Sequence, residues 1–311
     1  MKGLELARAY YEACGRPMLE RDFPELLPFL AAGLCGSGSE CFGWDDEVSR
    51  DHDFEPGFCL FLPEEALVDR RQAFLLERAY AKLPKEFGGL RRAVMQPVGG
   101  ARHGVLRTAD FFRRAVGSEN GVLSTEAWLS LPEQALAEAT NGAIFFDDWG
   151  EVSRIRAQLA FFPEDIRLKR LAGQLLLADQ AGPYNYRRCL AHGERGAAQL
   201  AAFAFAESAA AAAFLLARRY RPYYKWRFRA LRELPVLAAL AEPLERLLST
   251  GNEPEAAREK EALIEGVCAA LAAEVRAQEL AEGGDLEKLA CAVNARVKDA
   301  ALRNSHILAA V

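Results

Sequence analysis

The segment that most constrains the fold is Gly36–Asp53, which lies between two short apolar runs. It opens with a Gly-Ser-Gly-Ser turn and closes with two carboxylates separated by one residue, Asp51 and Asp53. The runs Phe29–Leu34 and Phe54–Leu62 predict two paired strands joined by this segment. Because alternate residues of a strand face the same side, the two aspartates are expected to point toward one place.

This pairing of a small-residue turn with two acids indicates phosphate chemistry. Two carboxylates held close together repel each other unless a cation lies between them. Mg²⁺ is bound by one or two such oxygens together with substrate phosphates. The turn can present backbone N–H groups to a phosphate, because Gly38 has no Cβ to prevent close approach. The alternative is an ordinary solvated, acid-rich turn.

Two blocks of the chain carry a resemblance to a known superfamily. Gly38-Ser39, Gly43 and Asp51-His52-Asp53 resemble the signature of the polymerase-β-type nucleotidyltransferases. The block from Phe214 to Trp226 resembles the helical half of an uncharacterised bacterial family in that superfamily. The resemblance implies an α+β fold, with a nucleotidyltransferase-like mixed sheet and its helices followed by a C-terminal α-helical bundle.

The resemblance also implies a metal site at Asp51 and Asp53, with Mg²⁺ or Mn²⁺ as cofactor and a nucleoside triphosphate as substrate. Gly38 and Ser39 are the expected phosphate-binding residues of the turn. His52, between the two aspartates, is expected to point to the opposite face as a packed or capping imidazole.

The third metal ligand is where the sequence departs from the superfamily pattern. Members carry a third carboxylate on a neighbouring strand, and here His103 stands at that place. Imidazole is a poor ligand for Mg²⁺ but suits Mn²⁺ or Zn²⁺ better. Three interpretations stay open: a one-metal site, a site with His103 as ligand, or another acid such as Asp110 or Asp147. For Asp147, the preferred interpretation is a turn and helix cap and not a metal ligand.

A basic segment in the second half is the other candidate binding element. Seven basic residues and no acidic residue occur from Arg218 to Arg232. Lys225 is a candidate contact for a triphosphate, and aromatic rings such as that of Tyr223 could stack on a base. The alternative is a bundle helix with snorkelling arginines and buried rings.

A general base toward the acceptor hydroxyl would come from the helical half if the chain works like some members of the superfamily. Glu194 is the candidate, and Glu207 is a second one. A Glu207 that is buried and hydrogen-bonded inside the bundle is an equal alternative.

The pattern of apolar residues changes near Gly150. Short strands and helices precede it, including predicted strands at Val105–Thr108 and Ala143–Phe146, and helical spacing follows it to the end of the chain. The sequence therefore predicts two domains, an α/β domain over residues 1–150 and an α-helical domain over residues 151–311.

Composition narrows the class of protein. The net charge of −5 argues against a broadly basic surface for long nucleic acids. Seven scattered cysteines without a Cys-x-x-Cys pair indicate free thiols in a reducing cytoplasm. The Ala-rich run Gly196–Ala217 contains Glu207, so it predicts a buried bundle helix and not a membrane span.

The function expected from the resemblance is metal-dependent transfer of a nucleoside monophosphate from a triphosphate to an acceptor hydroxyl. The acidic balance favours a small cationic acceptor, such as an aminoglycoside, over RNA or protein. Alternatives are a non-catalytic nucleotide-binding or regulatory protein on the same fold, and a nucleotidyltransferase toxin. The sequence leaves the acceptor, the preferred nucleotide and the oligomeric state open.

Overall fold

The computed structural model describes residues 1–51, 54–92 and 103–311, with Arg50 and Asp51 described by their backbone only. The fold is α+β, as the sequence predicts, with a mixed four-stranded sheet in the N-terminal half and helices beyond it. The chain divides into two compact units. The sheet unit comprises residues 1–123 and 135–160, and the helical unit comprises residues 124–134 and 161–311.

The sheet of the first unit has the strand order β5-β2-β1-β6. The six strands of the described chain are β1 (Ala31–Leu34), β2 (Cys59–Leu62), β3 (Glu86–Phe87), β4 (Leu90–Arg91), β5 (Gly104–Arg107) and β6 (Ala143–Asp147). Strand β1 is antiparallel to both β2 and β6, whereas β2 and β5 are parallel. Strands β3 and β4 form a separate two-stranded hairpin.

The helices of the sheet unit pack on the sheet, in which every residue of β1 and β2 is buried. They are α1 (Gly3–Tyr10), α2 (Arg16–Asp22), α3 (Arg70–Ala81), α4 (Thr108–Val116) and α7 (Glu151–Gln158). A π-helical turn, Tyr11–Gly15, joins α1 to α2. Tyr10, Leu30, Phe58, Leu60 and Leu76 are among the fully buried residues of the core. Burying each such side chain contributes about 1.5–3 kcal/mol, so this core fixes the sheet and the turn that follows β1.

Tyr80 of α3 holds the chain immediately before β2. Its hydroxyl donates to the carbonyl oxygen of Phe58 at 2.7 Å and accepts from the Phe58 N–H at 3.1 Å. Burial raises the pKa of Tyr80 far above its usual value, so the phenol stays a hydrogen-bond donor. The Phe58 carbonyl oxygen also accepts from the Gly104 N–H of β5 at 3.0 Å, so both backbone groups of this buried residue are satisfied.

The remaining helices belong wholly or partly to the helical unit. They are α5 (Thr125–Ser130), α6 (Glu133–Thr140), α8 (Glu164–Asp179), α9 (Arg187–Ala191), α10 (Arg195–Leu216), α11 (Tyr224–Arg232), α12 (Ala241–Ser249), α13 (Pro254–Ala277), α14 (Leu286–Ala295) and α15 (Ala300–Asn304). Helix α6 begins in the helical unit and continues into the sheet unit from Ala135. Helix α8 packs against α10 and α14, and α10 also packs against α12 and α13.

The Ala-rich helix α10 is long and apolar enough to cross a membrane. Its most apolar window has a mean hydropathy of 1.6, and 67% of that window is buried within the structure. The alanines from Ala209 to Ala213 are at most 1% exposed. Small side chains allow neighbouring helices to approach α10 closely. Its burial is therefore typical of a core helix in a helical bundle. The cytoplasmic location stays a prediction.

Candidate functional site

The Gly-Ser turn leaves β1 and is held by Asn141, which lies just before β6, the strand next to β1. Asn141 accepts a hydrogen bond from the Gly36 N–H at 2.9 Å and donates one to the Gly36 carbonyl oxygen at 2.7 Å. Gly36 has φ +131°, a region that side chains rarely adopt. Asn141 therefore fixes both backbone groups of the first residue of the turn.

Beyond the turn the chain makes a short 3-10 helix, Ser39–Phe42, which ends at Gly43 with φ +74°. The Cys41 N–H donates to the Gly38 carbonyl oxygen at 3.0 Å, and the Trp44 N–H donates to the Ser39 carbonyl oxygen at 2.9 Å. Within the described residues, the N–H groups of Ser37 and Gly38 have no hydrogen-bond acceptor. The turn therefore offers two adjacent backbone donors.

Ser37 and Gly38 are among the residues that line a cleft of about 630 Å³ within the sheet unit. The lining residues are Leu34, Cys35, Gly36, Ser37, Gly38, Glu40, Cys41, Cys59, His103, Val105, Leu106, Phe111, Arg114, Ala115, Ala135 and Glu138. They come from the end of β1, the first residue of β2, the start of β5, and helices α4 and α6. The predicted binding residue Gly38 lines the cleft together with Ser37.

The charges of the cleft come from four of these side chains. Glu40 and Glu138 are carboxylates, Arg114 is a guanidinium on α4, and His103 is an imidazole. Sequence analysis missed Arg114. The sequence shows two adjacent arginines, Arg113 and Arg114, in the last turn of α4. Only the fold shows that Arg114 is the one that lines the cleft. Arg113 instead pairs with Asp110 and Glu119.

His103 immediately precedes β5 and lines the cleft. Its imidazole Nδ1 is 3.6 Å from a carboxylate oxygen of Glu55, and its side chain is 9% exposed. It packs closely on Gly57, where an added Cβ would come within 2.6 Å of the ring. A carboxylate beside one ring nitrogen orients the imidazole and makes the other nitrogen a better metal ligand or proton acceptor.

Three thiols line the cleft near the turn. Burial raises the pKa of Cys35 to about 11 and holds the pKa values of Cys41 and Cys59 well above the usual value. They are therefore protonated at neutral pH and are poor nucleophiles. Among the described residues, no group of three or more histidines, cysteines, aspartates or glutamates is placed to hold a metal ion.

The two predicted metal ligands are only partly within the described structure. Asp53 and His52 lie outside the described residues. Asp51 ends a 3-10 helix, Val48–Asp51, and β2 begins only at Cys59. The prediction that Asp51 opens a strand is therefore wrong, and strand alternation cannot be used to aim its side chain.

The cause of this difference is a local turn ahead of Asp51. Asp46 accepts hydrogen bonds from the Ser49 N–H at 2.9 Å and from the Ser49 hydroxyl at 3.0 Å. Such a side-chain turn favours helical backbone over strand. The neighbouring Asp45 is also structural, because it is buried and accepts from the Gly3 N–H at 3.0 Å.

The two alternative third acids have other partners. Asp110 is half-exposed on α4 and bonds Arg113 at 2.5 Å. Asp147 accepts from the Gly150 N–H at 2.9 Å and the Ser153 N–H at 2.7 Å, at the beginning of α7. The interpretation of Asp147 as a turn and helix cap is confirmed.

The candidates from the basic segment and its surroundings lie in the helical unit. Glu194 precedes α10 and is exposed, and its side chain does not cap that helix. Glu207 is ion-paired with Arg227, but its side chain is 34% exposed, so only the paired part of the bundle alternative is met. The exposed Lys225 ammonium lies 5.0 Å from the ring centroid of Trp226. Tyr223 is half-exposed, with its ring 4.2 Å from that of Tyr224.

Removing the side chain that holds the turn tests whether the turn positions a ligand. We expect Asn141→Ala to lower the free energy of unfolding by about 1–3 kcal/mol, because both backbone groups of Gly36 lose their partner. It should also weaken binding of any ligand held by the Ser37 and Gly38 amides. Asn120→Ala is the matched control, since Asn120 accepts from the Val122 N–H at 3.0 Å in a loop of the same unit.

Calorimetric titration and urea unfolding of the two variants give the comparison. An Asn141→Ala protein that binds nucleoside triphosphate as tightly as Asn120→Ala does would show that the turn plays no part in binding.

Comparison with known proteins gives a family of undefined function. A family model described as a domain of unknown function, DUF4037, matches residues 128–227, about a third of the chain. The matched range contains the basic segment as far as Arg227 and excludes the Gly-Ser turn, Asp51 and Asp53. No curated protein and no solved structure matches the chain significantly.

Proposed function

We propose that the chain is a metal-dependent nucleotidyltransferase that moves a nucleoside monophosphate from a nucleoside triphosphate to an acceptor hydroxyl. The observation that carries the proposal is the pair of Ser37 and Gly38 amides, which have no acceptor among the described residues and whose residues line a cleft of about 630 Å³. Adjacent backbone N–H groups in a turn form an anion-binding concavity. A cleft of this volume is the right size for a small ligand.

The cleft's own charges favour a cation beside a triphosphate. Arg114 supplies a positive charge, but Glu40 and Glu138 are negative and would repel phosphate oxygens. A bound Mg²⁺ or Mn²⁺ would neutralise the phosphates, and in phosphoryl transfer such metal ions provide much of the acceleration. Asp51 and Asp53 are the proposed ligands, and His103 is the proposed third.

The same carboxylates support the proposed class of acceptor. Glu40 and Glu138 would attract a cationic small molecule, such as an aminoglycoside, more strongly than an RNA end. The net charge of −5 acts in the same direction. His103, with Glu55 on one side, could accept the proton of the attacking hydroxyl if it does not bind metal.

The second candidate is a non-catalytic nucleotide-binding protein on the same fold. The observation that favours it is His103, an imidazole at the position where members of the superfamily that the chain resembles carry the third carboxylate. Such a protein would bind a triphosphate at the turn and leave it intact.

A panel of nucleoside triphosphates separates these functions. Each is added with Mg²⁺, with Mn²⁺ or with a chelator, and the unfolding midpoint is measured. A ligand at about a hundred times its Kd stabilises the protein by about 2.7 kcal/mol. We expect a metal-dependent rise in the unfolding midpoint for at least one triphosphate.

Release of pyrophosphate in the presence of a cationic acceptor then indicates the enzyme, and its absence with every acceptor indicates the binding protein. No rise with any triphosphate would contradict both.

The predicted contact from Lys225 has its own test. If Lys225 meets the far phosphates, Lys225→Ala should weaken triphosphate binding roughly ten- to a hundredfold, because a charge-assisted contact contributes about 1.5–3 kcal/mol. Monophosphate binding should change much less. Titration of both nucleotides provides the measurement. Equal weakening would place Lys225 near the base or ribose, and no change would leave it as a partner of the Trp226 ring.

A further inference from the structure

A second cleft, of about 640 Å³, lies wholly within the helical unit. Its lining residues are Leu129, Ser130, Leu131, Pro132, Glu133, Gln134, Arg170, Arg221, Pro222, Tyr223, Tyr224, Arg227, Ala309, Ala310 and Val311. Three of these are arginines, and we call this site the arginine cleft. Sequence analysis singled out the basic segment but not Arg170, which lies in the middle of α8.

Arg170 is buried with little to balance its charge. It is 9% exposed, and its Nη2 donates to the carbonyl oxygens of Trp128, Leu129 and Leu131 at 3.1, 2.8 and 3.2 Å. Its Nε is buried and has no partner in the described chain. Burial lowers the pKa of Arg170; Glu133 opposes that shift, and Arg221 adds to it. The backbone carbonyls at the end of α5 hold the guanidinium without neutralising it.

The other two arginines share two carboxylates. Glu133 accepts from the Arg221 N–H at 3.1 Å, and its other oxygen is 3.6 Å from the Arg221 guanidinium. Glu207 pairs with Arg227 and is 4.0 Å from Arg221. The Nε of Arg227 is buried and unpartnered among the described residues.

The side chains that line the arginine cleft thus include three guanidinium groups and one carboxylate, that of Glu133, whereas Glu207 pairs with Arg227 without lining the cleft. A buried charge without a counterion is costly. An anionic ligand would supply the missing negative charge, and the planar guanidinium suits phosphate oxygens. Tyr223 and Tyr224 add aromatic rings that are 44% and 67% exposed. Exposed rings beside a cationic cleft can stack on a planar ligand.

We infer that the arginine cleft binds a phosphate-bearing ligand with a planar ring, of the size of a nucleoside monophosphate. The three arginines meet the phosphate, and the two tyrosines meet the ring. This site needs no metal ion and does not depend on the proposed function of the sheet unit.

Titration calorimetry in a chelator, at constant ionic strength, tests the inference with adenosine monophosphate and with pyrophosphate as probes. The full-length chain should bind both probes without divalent metal. Arg227→Gln should weaken both roughly ten- to a hundredfold. Tyr224→Ala removes an exposed ring, so it should weaken adenosine monophosphate and leave pyrophosphate unchanged.

Two controls keep the result specific to this cleft. Arg232→Gln removes a charge from the same helix, but Arg232 pairs with Glu245 and does not line the cleft, so binding should be unchanged. Asn141→Ala alters the turn of the sheet unit and should also leave metal-free binding unchanged. If Arg227→Gln fails to fold, Arg227→Lys replaces it, because lysine keeps the charge and the pair with Glu207. This variant should still lose affinity, because an ammonium group lacks the planar, two-pronged guanidinium that contacts phosphate oxygens.

The inference is overturned if the wild-type protein binds neither probe in chelator. It is also overturned if Tyr224→Ala and the folded Arg227 variant bind as wild type does, or if Asn141→Ala abolishes the binding. Metal-dependent triphosphate binding is a separate readout, so either proposal can fail while the other holds.

Discussion

Asp51→Asn and Asp53→Asn are each expected to abolish metal-dependent binding of nucleoside triphosphate while leaving the protein folded. Mg²⁺ prefers charged carboxylate oxygens, and an amide in the same place lacks the charge. If both carboxylates bind one cation, they repel each other in its absence, so removing either charge should leave the stability in chelator unchanged or slightly raised. Calorimetric titration with Mg²⁺ measures the first effect, and thermal unfolding in chelator measures the second.

Asp22→Asn is the matched control for these substitutions. Asp22 belongs to the same unit and makes an exposed ion pair with Arg21 at 2.8 Å, which contributes little to stability. It should bind triphosphate as wild type does. If Asp51→Asn and Asp53→Asn both bind like Asp22→Asn, the metal site lies elsewhere in the chain.

Gly142→Ala is expected to be the most destabilising single substitution near the candidate site. Gly142 has φ +63°, and an added Cβ would lie 1.9 Å from the carbonyl oxygen of Leu34. The atom in the way is backbone at the end of β1, so β1 and β6 would have to move apart. We expect the free energy of unfolding to fall by more than about 3 kcal/mol. Nucleotide binding should fall with it, because the turn that follows β1 is displaced.

Gly117→Ala is the control that separates the cost of the left-handed backbone from the cost of the steric clash at Gly142. Gly117 has φ +73° at the end of α4, but nothing lies within 4 Å of its added Cβ. Its substitution carries only the left-handed penalty of about 1 kcal/mol. Scanning calorimetry of both variants gives the difference. Equal losses would mean that Leu34 and Gly142 are not held as closely as the structure shows.

The elements that sequence analysis predicted well are those with a strong local signal. The apolar runs around Ala31–Leu34 and Ala143–Asp147 are strands, and the residues before Phe111 form β5. Each is a short, mostly apolar run with a glycine in it or next to it, so local composition is enough to identify it. The position of His103 follows from the same strand, because His103 immediately precedes β5.

One feature that the sequence did not predict comes from a local side-chain turn, and the others depend on distant contacts. The 3-10 helix at Val48–Asp51 follows from a side-chain turn at Asp46 that competes with the strand. Arg114 and Arg170 each lie on a helix with other basic residues, and only packing decides which of them meets a cleft. The placement of residues 124–134 with the helical unit, ahead of β6 in sequence, has no local signal either.

Hydrogen–deuterium exchange of the wild-type protein, with and without Mg²⁺ and the triphosphate selected by the panel, tests the central claim most directly. The claim is that the turn after β1 binds the phosphates through the Ser37 and Gly38 amides. We expect slowed exchange in peptides that cover residues 36–42 only when metal and triphosphate are both present, and no slowing with Asn141→Ala. Tight, metal-dependent binding that leaves exchange in residues 36–42 unchanged would contradict the claim.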